Sequence, residues 1–247
     1  MKIIACYSNK GGTGKTASAV NIAYGFVRQG RRVLLCDLDP QGASSFYFRV
    51  KPSRKLGGDL FFSDVKRFTD AIRGSDYEGL DILPANMAFR EFDIFLARMK
   101  QGRSRLKKAL RSVRRDYDVV VLDCPPNISA LSENVFKAAD VIVVPVIPTT
   151  LSERSFEQLL AFLKDHGIRR KKILGIFSMA QATKTLHVET MARMREAHAR
   201  YGLDIVVPFS TDVEKMGLHR APVATFAKSD GAVAAYDSLV AEIERRI

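Results

Sequence analysis

Apolar residues gather in seven runs of strand length, at residues 2–7, 32–36, 80–83, 118–122, 141–145, 172–178 and 204–207, and most of the stretches between them carry apolar positions at helical spacing. The runs are rich in Val, Ile and Leu. A strand that is apolar on both sides must be covered on both sides, so the pattern predicts an α/β chain: a mostly parallel, twisted sheet flanked by helices on both faces. Right-handed crossovers put the C-terminal ends of parallel strands on one edge of such a sheet, and loops bearing chemistry meet there. Helices are predicted over 17–28, behind the first strand, and over 232–247, where Ala235, Leu239, Val240 and Ile243 fall at core-facing spacing. No repeat, Pro-rich linker or low-complexity stretch divides the chain, and 247 residues with 47% hydrophobic content fit a single domain over 1–247. The stretch 46–62 breaks the pattern, because Pro52, Gly57 and Gly58 interrupt any periodicity; a mobile surface loop is expected there.

The connection between the first strand and the first helix reads Asn9-Lys10-Gly11-Gly12-Thr13-Gly14-Lys15-Thr16, followed by Ala17. Glycines in a strand-to-helix loop let backbone N–H groups turn inward around a phosphate chain, and the following helix adds the positive end of its dipole. Lys15 is placed to reach the terminal phosphates and the Thr16 hydroxyl to hold Mg²⁺. The general phosphate-loop pattern has a glycine where this chain has Asn9, and the loop carries a second lysine, Lys10. This wording, KGGTGKT, resembles the ParA/MinD family of P-loop ATPases with a deviant Walker A motif. The resemblance implies ATP and Mg²⁺ as cofactors, nucleotide contacts from Lys10 through Ala17, and a nucleotide-sandwich homodimer in which Lys10 reaches the partner's phosphates.

Two more segments carry the likeness. Asp37-Leu38-Asp39-Pro40-Gln41-Gly42 ends the second strand; alternation puts Asp37 and Asp39 on one side, and Pro40 and Gly42 turn the chain so that both can face the phosphates. By resemblance to the family's DxDPQG segment, Asp39 orients the attacking water and Asp37 assists the Mg²⁺ environment. Val119 to Leu122 followed by Asp123-Cys124-Pro125-Pro126 has a Walker B pattern, with Asp123 emerging from a buried strand to bind Mg²⁺ through water. Its DCPP wording resembles the family's second switch. Further along, Pro208-Phe209-Ser210, with Ala221-Pro222-Val223 after it, matches in spacing the family's adenine-surrounding segment, which implies base contacts from Pro208, Phe209 and Ser210. Catalysis on this reading falls to Lys10, Lys15 and Asp39.

Charge sets the expected partner. Thirty-nine Lys and Arg against 27 Asp and Glu give +12, which predicts long-range attraction to a polyanion, nucleic acid before membrane. Basic residues concentrate in 98–115, in 169–172 and in a scattered set, from which Lys184, Arg193, Lys215, Arg220 and Lys228 are the candidate DNA contacts. No base-reading motif accompanies them, so nonspecific DNA of the nucleoid is the expected partner. Relatives commonly carry arginine where this chain has Asp212, and the region before the late helix reads Thr183-Lys184-Thr185, so the family's own DNA contacts do not transfer directly. The resemblance further implies a stimulatory adaptor of ParB-like role. Cys6, Cys36 and Cys124 all sit in apolar runs without paired spacing and are expected as buried thiols. A cytoplasmic, nucleoid-associated location follows, with membrane binding disfavoured because acids interleave the basic residues of Glu242 to Ile247. A MinD-like membrane ATPase and a metabolic or metal-centre P-loop enzyme remain the alternatives; the latter commonly needs a Cys pair, and no C-x-x-C occurs.

Overall fold

The computed structural model describes residues 1–51, 56–99, 102–227 and 231–247. Its strands are β1 (Lys2–Cys6), β2 (Val33–Asp37), β3 (Arg73–Gly74), β4 (Leu80–Leu83), β5 (Val119–Asp123), β6 (Val141–Val146), β7 (Ile173–Ala180) and β8 (Gly202–Pro208). Its α-helices are α1 (Lys15–Arg28), α2 (Ala43–Tyr47), α3 (Gly58–Ser63), α4 (Val65–Asp70), α5 (Phe92–Arg98), α6 (Arg105–Arg111), α7 (Ala130–Ala138), α8 (Thr150–Asp165), α9 (Thr185–His198), α10 (Thr211–His219) and α11 (Gly231–Arg246). The strands form one sheet in the order β3-β4-β2-β5-β1-β6-β7-β8. Only the two-residue β3 is antiparallel, to β4. The predicted architecture is therefore the observed one, with β3 too short to leave an apolar signature.

Alternation along each strand divides the core in two. Ile3, Ala5, Tyr7, Leu34, Cys36, Val120 and Leu122 face the layer containing α3 and α5 to α8. Ile4, Cys6, Val33, Leu35, Val119 and Val121 face α1 and α11. The close fit on that second side shows at Gly25 of α1, where a Cβ would stand 2.6 Å from Val240 Cγ2 of α11. Strands β2 and β5 run one residue beyond the apolar runs, because the backbone ladder continues through Asp37 and Asp123, which pair directly across the two strands. The three cysteines are buried and free, and among the described residues no helix is long and apolar enough to cross a membrane.

The expectation for 46–62 is corrected wherever the segment is described; Pro52 lies outside the described residues. Phe48, Leu56, Phe61 and Phe62 are all buried. Phe61 lies 4.8 to 5.4 Å, centroid to centroid, from the rings of Phe62, Phe68, Phe89 and Phe92. The segment pins α3, α4 and α5 to the first core. Phe61→Ala should accordingly destabilise the protein by about 3–5 kcal/mol in denaturant unfolding; a loss below about 1 kcal/mol would mean that the segment is not part of the core.

Candidate functional site

Strand β1 delivers the chain to the C-terminal edge of the sheet, where the loop wraps back into α1. Gly12 and Gly14 have φ of 71° and 88°, in the left-handed region, and Gly14 is the N-cap of α1. A side chain at Gly14 would be strained in that conformation and would bring its Cβ to 2.7 Å from Ser178 Oγ on β7. The Lys15 ammonium donates to the Lys10 carbonyl at 3.2 Å, drawing the loop closed around itself. Burial draws the Lys15 pKa down, whereas Asp123 and Asp39 act to hold it up. A cavity of about 350 Å³ opens above the loop, walled by Gly11 to Ala17, Asp39, Tyr47, Pro126, Met179, Val213 and Glu214.

The three acids have different surroundings. Asp37 and Asp123 are fully buried. One oxygen of Asp37 accepts from Ser45 N–H at 2.8 Å and Ser45 Oγ at 2.7 Å. Ser45 Oγ in turn accepts from Ala85 N–H at 2.9 Å, which ties the start of α2 to the loop after β4. One oxygen of Asp123 accepts from Ser44 Oγ, and Thr16 also hydrogen-bonds to this carboxylate. The remaining oxygens, Asp37 Oδ1 and Asp123 Oδ1, are buried without a hydrogen-bond partner. Burial pushes both carboxyls above the usual range, and for Asp37 the charge of Asp123 adds to the effect. Two unpartnered carboxylate oxygens beside a threonine hydroxyl form a hard, all-oxygen donor set that fits Mg²⁺, which takes few protein ligands and completes its shell with water and phosphate. Asp39 differs from this pair. It lies beyond β2, half-buried, on the cavity wall, and its Oδ1 accepts Gln41 N–H at 3.0 Å. Of the two aspartates expected to face the phosphates, Asp39 lines the cavity, whereas Asp37 lies behind it under Ser45.

The Lys10 side chain turns away from the other loop residues. Its ammonium donates at 3.1 Å to Ser152 Oγ, 142 positions away at the start of α8, and does not line the cavity above the loop. Ser152 Oγ also accepts from Thr149 Oγ1 at 3.0 Å, and Asn9 Nδ2 donates to Ser155 O at 3.3 Å. The second lysine is thus held against its own α8.

The segment expected to contact the base is bonded into the fold. Pro208 ends β8, Phe209 N–H donates to Ala180 O at 2.8 Å, and Ser210 Oγ caps α10 by accepting from Asp212 and Val213 N–H. Val213 and Glu214, on the first turn of α10, line the cavity. Sequence reasoning missed these two, together with Tyr47 and Met179, and named Pro126 only as part of the second switch. Proximity to the motifs could have suggested Tyr47; nothing in the sequence marks the others.

Of the candidate DNA contacts, Arg193 forks onto Glu153 at 2.6 to 3.2 Å and Lys215 pairs with Asp212 at 2.8 Å. Arg220 donates to Phe46 O at 2.9 Å and stacks its guanidinium 4.4 Å from the Phe46 ring. Lys184 is exposed at the N-cap of α9, and Lys228 lies outside the described residues. Among the described residues of this set, only Lys184 makes no side-chain hydrogen bond or ion pair.

Comparison with known proteins agrees with this geometry. The model of a family described as an AAA domain matches residues 1–176. The chain is 27% identical to the sporulation initiation inhibitor protein Soj of Bacillus subtilis, over 98% of each chain. It is also 27% identical to the chromosome partitioning protein ParA of Caulobacter vibrioides, over 100% of this chain and 95% of that one. Among solved structures it resembles cobyrinic acid a,c-diamide synthase of Mycobacterium smegmatis with bound ATP analogue and magnesium, at 26% identity and a TM-score of 0.80, over 99% of this chain and 95% of that one.

Proposed function

Because the chain belongs to the AAA-domain family, and within it to the ParA/MinD group of P-loop ATPases, we propose that it is a ParA-type positioning ATPase. It binds Mg·ATP, pairs into a sandwich dimer over two nucleotides, binds DNA without sequence preference, and segregates or places a cargo. A ParB-like adaptor stimulates hydrolysis and release.

The observation that carries this reading is the division of labour between the two lysines. Lys15 sits in the cavity of its own chain, whereas Lys10 is parked on Ser152, an arrangement suited to a side chain that swings to a neighbour's triphosphate. Thr16, Asp37 and Asp123 would hold Mg²⁺, which offsets charge on the β- and γ-phosphate oxygens. Lys15 and the inward N–H groups of the loop bind and orient the phosphates. Asp39, on the cavity wall, positions the attacking water for in-line displacement, and Lys10 of the second protomer offsets the charge that develops on the transferred group. Unstimulated turnover is slow, so that the DNA-bound dimer accumulates.

The likeness to a synthase favours one competing reading, a metabolic P-loop enzyme. A mobility-shift assay with random-sequence duplex separates the two. On the present reading ATP raises DNA affinity roughly tenfold or more over ADP or no nucleotide, because the dimer carries two contact surfaces on one body. Equal affinity in all three states would rule out the switch, and flotation with anionic vesicles under ATP would point instead to a membrane ATPase.

A further inference from the structure

The strand order of the sheet gathers basic residues on the edge opposite the nucleotide cavity. Going across the sheet, β2 is preceded by Arg31 and Arg32, β5 by Arg114 and Arg115, β7 by Arg169 to Lys172, and β8 by Arg200, while β1 begins with Lys2. Six adjacent strands, β2-β5-β1-β6-β7-β8, span about 24 Å at ~4.8 Å per strand, the rise of roughly seven base pairs of duplex DNA. Part of this edge forms an open cleft of about 800 Å³ lined by residues from β1, the chain before β7 and β8, and the end of α11.

Which of these charges are free decides what the edge can do. Arg31 is paired with Glu244 and Arg32 with Asp118. Lys172 donates to the Ala139 carbonyl at the end of α7. The acids of the cleft are also engaged: Asp140 accepts Ile3 N–H at 2.9 Å, and Glu242 is held by Arg245 and Arg246. Six exposed side chains remain, Arg114, Arg115, Arg169, Arg170, Lys171 and Arg200, and among the described residues none has a hydrogen-bond or ion-pair partner. Acids also lie beside them: Glu196 and Glu157 line a cleft with Arg170 and Arg200, Glu157 being paired with His198, and Asp116 follows Arg115 in the chain. The basic run on α6 joins this edge, since Lys107 lies near enough to Lys172 to depress its pKa, as Arg169 also does, although burial is the larger cause. A row of like charges without internal partners repels itself, and a partner with regularly spaced negative charge relieves that repulsion.

We propose that the N-terminal edge of the sheet, centred on Arg169, Arg170, Lys171 and Arg200, is the DNA-contact surface, gripping the phosphate backbone of a duplex. The proposal rests on the DNA-binding reading above and moves the contact away from Lys184, Arg193, Lys215 and Arg220. The extent of the row favours a long polyanion over a small phosphate ligand. Each protomer carries the surface whatever its nucleotide state; in a dimer closed over the cavities the two surfaces lie at opposite ends, so ATP adds affinity only on DNA that reaches both.

The test is fluorescence anisotropy with a 24-base-pair random duplex across a salt series, using the full chain with Mg²⁺ and a nonhydrolysable ATP analogue. Arg169→Ala/Arg170→Ala/Lys171→Ala should weaken binding roughly tenfold or more and lower the slope of log K against log salt by about 3, whereas Lys184→Ala/Lys215→Ala stays within about twofold of the parent. ATP affinity should be unchanged in the triple variant, and Arg169→Lys/Arg170→Lys should retain the parental slope, which separates charge from misfolding. Parental binding in the triple variant with loss in Lys184→Ala/Lys215→Ala would overturn the proposal. So would loss of phosphatidylglycerol-vesicle flotation, with DNA affinity intact, in the triple variant. A parent chain that binds no DNA in any nucleotide state would instead refute the DNA-binding reading on which the proposal rests.

Discussion

Lys10→Ala is expected to bind Mg·ATP within about threefold of the parent yet to lose roughly a thousandfold in turnover, in line with the effect of a cation supplied in trans to a phosphoryl transfer. The asymmetry follows from where the two lysines sit. The cavity keeps its own cation, because Lys15 is on its wall and Lys10 is not. Among the described residues the Lys10 side chain makes one hydrogen bond, to Ser152, whose removal costs about 1 kcal/mol of stability. Isothermal titration and a phosphate-release assay separate the two effects. Full adaptor-stimulated turnover in the variant would refute a role across the dimer, and loss of ATP binding would place Lys10 in its own pocket.

Asp39→Ala is expected to lower turnover about a hundredfold or more, the scale of a lost proton-handling or water-positioning group, and to leave the ATP-bound dimer trapped on DNA. Binding of nucleotide should persist, since among the described residues the Asp39 carboxylate accepts only a local hydrogen bond, from Gln41 N–H. Asp37 and Asp123 cannot substitute for it. Both are fully buried and each has one oxygen already hydrogen-bonded to serine. Release of the variant from DNA at the parental rate, followed by stopped-flow dissociation in the presence of ATP, would remove Asp39 from the water-positioning role.

What the sequence disclosed and what it withheld divide along contact range. Lys10 to Ala17, Asp37 to Gly42 and Asp123 to Pro126 are contiguous motifs at strand ends, so their assembly on one edge follows from the order of apolar runs and the rule for parallel crossovers. Strand limits fell short at Asp37 and Asp123 because hydropathy reports the core, whereas a backbone ladder continues under any side chain. The aromatic cluster at Phe61 was invisible because its partners Phe89 and Phe92 are about thirty residues away and two glycines hide the helix that carries Phe61. Ser152 as the resting place of Lys10, and Met179, Val213 and Glu214 as cavity walls, depend on which loops the sheet order brings together. Basic residues were legible as charge, but their standing as free or paired was not: Arg193 and Arg170 look alike in a sequence, and only the structure shows that one is paired with Glu153 while the other makes no ion pair among the described residues.

The central claim is that two protomers close over two triphosphates, each touched by Lys10 of the opposite chain. Multi-angle light scattering of the purified chain at micromolar concentration, saturated with Mg²⁺ and a nonhydrolysable ATP analogue, tests it most directly. The account predicts a particle of twice the 27.5 kDa chain mass, reverting to one chain mass in Lys10→Ala or when ADP replaces the analogue. A persistent single chain mass with the analogue bound would contradict it.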